Sequence, residues 1–164
     1  MRIKVEPTIQ VRFNMNWLLK SFQELSRDEL YAILRLRSEV FVVEQDCVFL
    51  DLDDKDQLCH HLSGWNGDIL VAYSRLVPPG LSYTECSIGR VVTSPGERKR
   101  GTGKALMQKS IEEVYNIYGP GPIRLGAQHY LKKFYESFGF WQTGPVYLED
   151  GIEHIEMIRL YDHS

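Results

Sequence analysis

The chain has 164 residues, 43% hydrophobic and 25% charged, with a formal net charge of −3, which suits one soluble domain with a real core and excludes general nucleic-acid binding. Cys47, Cys59 and Cys86 form an odd count without C-x-x-C spacing, which argues against a disulfide framework or a structural zinc site. No apolar run approaches the roughly 18 residues of a membrane span, and no signal-peptide cleavage pattern is present, so a reducing cytoplasm is the default setting.

Residues 1–14 differ in character from the rest of the chain, and Met15-Asn16-Trp17 reads as a natural start behind a leader or tag-like extension; 15–164 then read as one domain. Residues 16–22 (NWLLKSF) suit a first strand. Ser26 followed by Glu29 is a capping box, and Leu30, Ile33, Leu34 and Arg37 continue at helical spacing to about Val40. FVVEQD comes next, then an acidic loop at 50–58, expected to be a solvated surface. Asn66-Gly67 between two strand-like runs is a strong hairpin signal. Pro78-Pro79-Gly80 ends the second of these runs, and 85–92 make a further strand. Residues 100–118 are helical, with Ala105, Leu106, Ile111, Val114 and Tyr115 on one face, stopped by Gly119-Pro120-Gly121-Pro122. A short buried strand at 123–127, a short helix at 129–138 with Gly139 as its terminator, and two strands around Glu149-Asp150-Gly151 complete the chain. The order β-α-β-β-β-α-β-α-β-β implies a mixed α/β sheet, with the strands flanking the second helix parallel.

The segment RVVTSPGERKRGTGKAL (90–106) holds the densest basic cluster. It places Arg98, Lys99 and Arg100, then Gly101, Thr102, Gly103 and Lys104, between a strand end and a helix start. A helix N-terminus leaves unpaired N–H groups and a positive dipole end, and glycine lets backbone approach an anion, so the loop suits a phosphate cradle. It is not a Walker A loop: Gly96 and Gly101 are correctly spaced, but Thr102-Gly103 replace the Lys-Ser/Thr. Nor is it a dinucleotide fingerprint, because the third glycine after Gly101 and Gly103 is absent. Cys59-His60-His61 does not suit a zinc site, since neighbours on a strand face opposite ways.

Arg98, Gly101 and Gly103 form R-x-x-G-x-G, which resembles the acetyl-coenzyme A pyrophosphate loop of the GCN5-related N-acetyltransferases (GNAT superfamily). AQHYLKKFYESFGF (127–140) resembles that superfamily's second cofactor segment. LYAILRLRSEVFVVEQ (30–45), GRVV (89–92), LGAQHYLKKFYESFGF (125–140) and EDGIEHIEM (149–157) resemble its ElaA-like branch more narrowly. The resemblance spans 16–162. It implies a single mixed, mostly antiparallel twisted sheet, with helices on both faces and a splayed central parallel strand pair.

The resemblance further implies acetyl-coenzyme A as co-substrate, no metal, and direct acetyl transfer to an amine through a ternary complex. Backbone from Arg98 to Lys104 would hold the pyrophosphate. Backbone of Arg90, Val91, Val92 and Thr93 would pair with the pantetheine arm, and Gln128 would contact its amides. Tyr135 occupies the leaving-group position. A free phenol titrates near 10 and a free thiol near 8.5, so a hydrogen bond that strengthens as the thiolate forms is expected, rather than full proton donation. The general base is open among Glu44, His60, His61, Glu85 and His154, with Glu44 and His154 on segments that the resemblance places at the acceptor side. The acceptor is expected to be a small-molecule or peptide amine, without nucleic acid or membrane, and the last strands suit a homodimer. The rival reading is an acyl-coenzyme A-binding module of the same fold without turnover.

Overall fold

The computed structural model describes residues 15–162, so the reading of 1–14 as a leader lies outside the described residues. The first sheet is antiparallel, in the order β1 (Asn16–Ser21), β2 (His60–Asn66), β3 (Ile69–Val77), β4 (Ser87–Thr93). β1 and β2 are joined through α1 (Arg27–Arg37), whose Ser26 accepts from the Glu29 N–H at 3.1 Å while Glu29 accepts from the Ser26 N–H at 2.8 Å. The predicted capping box is thus formed. The helix does not stop near Val40. It loosens into a π-helical stretch, Ser38–Glu44, which carries FVVE of the apolar-then-acidic run onward as helix. Gly67, at a φ of 59°, turns the β2–β3 hairpin.

β3 is buried on both faces. Tyr73 packs with Ile33 and Leu36 of α1, whereas Leu76 packs with residues of α2 (Thr102–Tyr118), and Ser74 shares a 2.7 Å hydroxyl contact with Ser110. α1 and α2 therefore cover opposite faces of the first sheet. Along α2, Leu106, Ile111 and Val114 are buried as predicted, whereas Ala105 is exposed. Ile33, Tyr73, Leu76 and Met107 are fully buried, and each such side chain contributes roughly 1.5–3 kcal/mol by leaving water.

The second sheet has β8 (Ile152–Arg159) at its centre, flanked by β5 (Ile123–Gln128) on one side and by β6 (Trp141–Gln142) and β7 (Tyr147–Glu149) on the other. The two-residue β6 is too short to show an alternation in the sequence. Asp150 and Gly151, with φ of 49° and 79°, form the tight β7–β8 turn. Ile123, Leu125, Ala127, Ile155 and Met157 enter the core shared with α2 and with Tyr135 and Phe140, at and beyond α3 (Lys132–Glu136). The predicted helix at 129–138 is shorter, opening with a 3-10 turn at His129–Leu131. By strand alternation, Arg124, Gly126 and Gln128 of β5, with His154 and Glu156 of β8, lie on the opposite face, the α1 side.

The mixed, mostly antiparallel architecture is thus the expected one, divided into two four-stranded halves. They meet at one parallel bridge, Cys86↔Ile123, where the Arg124 N–H donates to the Cys86 carbonyl at 3.0 Å. Beyond it β4 and β5 part, so the splayed parallel pair is present.

Candidate active site

Of the predicted residues, Arg90 to Thr93 end β4 and Gln128 ends β5, the strands that border the gap. Gly89 stands three residues past Cys86 and Gly126 three past Ile123, so two glycines come level where the strands diverge. On β4, two residues, Arg90 and Val91, stand against one of β3, Ser74, between the pairs Tyr73↔Val92 and Arg75↔Gly89. This bulge puts Arg90 at a φ of 51°, a left-handed conformation that is rare outside glycine.

Arg90 is anchored by the segment expected to be a solvated acidic loop. That expectation is corrected: Asp51 and Asp56 are buried. Arg90 donates through Nε to Asp51 at 2.7 Å and through a terminal nitrogen to the Asp51 carbonyl at 2.8 Å. Arg37, fully buried, donates to Asp51 and to Asp56 at 2.8 Å each. Arg75 donates to both oxygens of Asp53, at 2.7 and 2.8 Å, and to Asp56 at 2.9 Å. Three arginines thus balance three aspartates. Burial alone would raise the Asp53 and Asp56 carboxyls, yet the guanidinium hydrogen bonds hold both below the usual carboxylate range. The visible signal in the sequence is Arg75 inside ILVAYSRLV, because a charge in an apolar strand requires a buried partner.

At the other end of β4 the chain turns through Pro95–Glu97, with Lys99 at a φ of 63° and Gly101 at 83°. The first backbone bond of α2 runs from the Ala105 N–H to the Gly101 carbonyl, 3.1 Å. The N–H groups of Thr102, Gly103 and Lys104 precede it and lack intrahelical acceptors. A Cβ at Gly101 would meet nothing within 4 Å, and one at Gly103 only Thr93 Cγ2 at 4.0 Å. This open, donor-lined helix start with exposed Lys99, Arg100 and Lys104 beside it fits a pyrophosphate. Arg98 is tied to Glu44 at 2.6 Å, joining the loop to the π-helical stretch.

Tyr135 is buried, and its ring packs edge-on against Phe134 and Phe140. Its hydroxyl makes no hydrogen bond among the described residues, yet it is not sealed: the one fully enclosed, unpartnered side-chain polar atom among them is Arg75 Nε. Burial raises the phenol above its ordinary value, so it stays protonated at neutral pH.

On the α1 side, Gln128 donates to Gln45 at 3.0 Å and stands opposite His154. His154 Nδ1 lies 2.8 Å from the Ile152 carbonyl, which can only accept, so Nδ1 carries the proton; Nε2 lies 3.5 Å from Glu149. The other base candidates are engaged elsewhere. His60 meets Tyr118 at 3.3 Å, buried His61 lies between Tyr73 and the Asp56 carbonyl, and Glu85 is paired with Arg124 at 2.9 Å. His60 and His61 do face opposite ways, and no group of three or more metal-ligating side chains assembles among the described residues. Cys86 is buried, donates to the Pro122 carbonyl, and has its thiol pushed up by burial, the state of a packing cysteine. Tyr83 and Tyr147 belong to this face without having been predicted, for no short motif marks them, whereas Gln45 and Gly126 fall inside the segments 30–45 and 125–140 that carry the family resemblance.

The acetyltransferase (GNAT) domain matches residues 52–160. Protein ElaA of Escherichia coli K12 is 42% identical over 147 residues, 88% of this chain and 96% of that protein. The chain belongs to the GNAT acetyltransferase family. A UPF0039 protein of Schizosaccharomyces pombe is 41% identical over 88% of this chain and 96% of its own. Among solved GNAT structures, an acyl-CoA N-acyltransferase from Pseudomonas aeruginosa superposes with a TM-score of 0.85 at 40% identity, covering 88% and 99% of the two chains. Escherichia coli ElaA gives 0.83 at 41% identity, with the same coverage. GNAT acyltransferases use an acyl-coenzyme A co-substrate, which accords with the open helix start beside a parted strand pair. No helix among the described residues is long and apolar enough to cross a membrane.

Proposed function

We propose that this chain is an acetyl-coenzyme A-dependent N-acetyltransferase acting directly on a primary amine in a ternary complex. The observation that carries the reading is the β4–β5 gap, reached from one end by the unpaired N–H groups of Thr102, Gly103 and Lys104 and flanked on the α1 side by His154.

The α2 N-terminus holds the pyrophosphate, with Lys99, Arg100 and Lys104 adding positive charge. Arg98 reaches outward when released from Glu44. The bulged backbone of Arg90, Val91, Val92 and Thr93 receives the amide-bearing arm of the co-substrate, and the Arg90–Asp51 contact keeps that bulge from relaxing into a regular ladder. Bound there, acetyl-coenzyme A supplies an activated thioester. The neutral amine attacks its carbonyl carbon, a C–N bond forms and the C–S bond breaks. The proton lost by the amine passes to Nε2 of His154, directly or through water. The Tyr135 hydroxyl donates a hydrogen bond to the departing thiolate, which takes up a proton as it leaves. Cys86 plays no part, so no acyl-enzyme forms.

The test is calorimetric titration of acetyl-coenzyme A into wild type and Gly103→Glu, and then an amine screen with thiol release as readout. Gly103 has ordinary helical backbone and room for a Cβ, so the new carboxylate repels phosphate without straining the fold. Binding by wild type alone, together with amine-dependent thiol release, supports the reading. Binding without amine-dependent release marks an acyl-coenzyme A sensor. Failure of wild type to bind overturns the cradle and the transferase together.

A further inference from the structure

On the α1-side face of the second sheet, two phenol hydroxyls converge over one glycine. A Cβ built on Gly126 would lie 3.0 Å from Tyr147 Oη and 3.3 Å from Tyr83 Oη. Neither hydroxyl makes a hydrogen bond among the described residues; Tyr83 is half-buried and Tyr147 is 38% exposed, so solvent reaches the pair. Glu156 is directly opposite Gly126 in the ladder, and His154, two residues along, is opposite Tyr147. Tyr83 also lines an open cleft of about 500 Å³ with Glu85, Arg124 and Glu156.

The electrostatics of this wall are negative. Arg124, its arginine, is committed, donating to both oxygens of Glu85 at 3.0 and 2.9 Å and to Glu156 at 3.1 Å. Glu85, Glu149 and Glu156 thus outnumber it. Burial first, and then the neighbouring negative charge of Tyr147, Glu156 and Glu149, pushes the Tyr83 phenol up to about 12. The Tyr147 phenol is raised by burial and by Glu149 and Glu156. A cation placed between these hydroxyls gains two lone-pair acceptors and a neighbouring carboxylate. A carboxylate placed there meets like charge and an arginine already paired with two carboxylates.

We propose that Tyr83, Tyr147 and Glu156, gathered over Gly126, form the acceptor subsite and that the acceptor is a dibasic amine: one nitrogen reacts at the gap while a second, cationic group sits among the phenols. This rests on the transferase reading. The absence of a side chain at Gly126 keeps the subsite open, and an added methyl would push both hydroxyls away.

The experiment compares 1,4-diaminobutane, butylamine and 4-aminobutyrate as acceptors at saturating acetyl-coenzyme A, in wild type, Gly126→Ala and Tyr147→Phe, with the acetyl-coenzyme A Kd of every protein measured by calorimetry. The diamine should exceed butylamine at least tenfold in kcat/KM, with the aminobutyrate poorest. Both variants should raise KM for the diamine about tenfold while shifting butylamine and the acetyl-coenzyme A Kd little, a split that mere loosening of the fold does not produce. A diamine no better than butylamine, an aminobutyrate equal to the diamine, or variants that affect both amines alike would overturn the subsite while leaving the transferase standing. Loss of acetyl-coenzyme A binding by wild type itself would remove both.

Discussion

Asp51 sits between Arg37 and Arg90 and accepts from the Nε of each, at 2.8 and 2.7 Å. One carboxylate therefore couples the first helix to the bulge of β4. Asp51→Asn leaves two guanidinium groups short of charge in a buried setting. Breaking a buried pair from one side costs about 3–5 kcal/mol, so the melting temperature should fall by about 10 °C or more, as read by thermal denaturation.

Arg90 combines that anchoring with an unfavourable backbone. Arg90→Ala loses the anchor and keeps the left-handed φ, whereas Arg90→Gly loses the anchor and relieves the strain. The glycine variant should therefore be the more stable of the two, by about 1 kcal/mol, in parallel denaturant titrations. Equal stabilities would show that the bulge relaxes once Asp51 lets go.

Tyr135→Phe should leave the acetyl-coenzyme A Kd unchanged and lower kcat by roughly 10²–10³-fold, the usual range for a lost hydrogen-bond donor to developing negative charge. Calorimetry and thiol release on the same preparation give both numbers. A change in Kd with kcat intact would make Tyr135 a packing residue.

Glu44 and His154 are rival base candidates, and their surroundings separate them. The Arg98–Glu44 pair is partly exposed and is worth about 1 kcal/mol or less. Glu44→Gln should therefore barely move the melting temperature, should free Arg98 to tighten phosphate binding in a salt-sensitive way, and should leave kcat near wild type. His154→Gln should cut kcat by at least tenfold at unchanged acetyl-coenzyme A affinity. The reverse pattern would return the role to Glu44.

Stability should fall in two stages on acidification. His61 is enclosed between the Tyr73 hydroxyl and the Asp56 carbonyl, and burial lowers its pKa, prevailing over the opposing pull of Asp56 with help from the charges of Arg37 and Arg75. A histidine lowered in the folded state binds its proton more readily when unfolded. Stability is complete above the unfolded value near 6.5 and declines below it. Asp53 and Asp56, also lowered, add their loss as pH falls below about 4 toward their folded values. His61→Gln should abolish the first stage and spare the second in melting curves from about pH 8 to 3.

The hairpins at Asn66-Gly67 and Asp150-Gly151, the capping box at Ser26 and the glycine-punctuated start of α2 are legible in the sequence because each is a local signal, complete within a few residues. The Arg37, Arg75 and Arg90 partnerships with Asp51, Asp53 and Asp56 are not, because they join residues 14 to 39 positions apart. An acidic run looks solvated until the arginines arrive from three other elements. The helix passing Val40 is hidden for a related reason: a π-helical stretch shifts the apolar stripe, so the 3.6-residue period fails where the helix does not. The convergence of Tyr83 and Tyr147 on Gly126 draws on three separate segments and has no motif to announce it.

The single bridge at Cys86 and Ile123 has a consequence for how this molecule avoids its own kind. Past that point both β4 and β5 turn bare ladder groups toward each other. Exposed sheet edges invite pairing with other chains, and proteins usually blunt them with charge, proline or cover. Here two edges are kept side by side within one fold, each turned toward the other. The protein thus keeps a template for an extended ligand between two of its own strands.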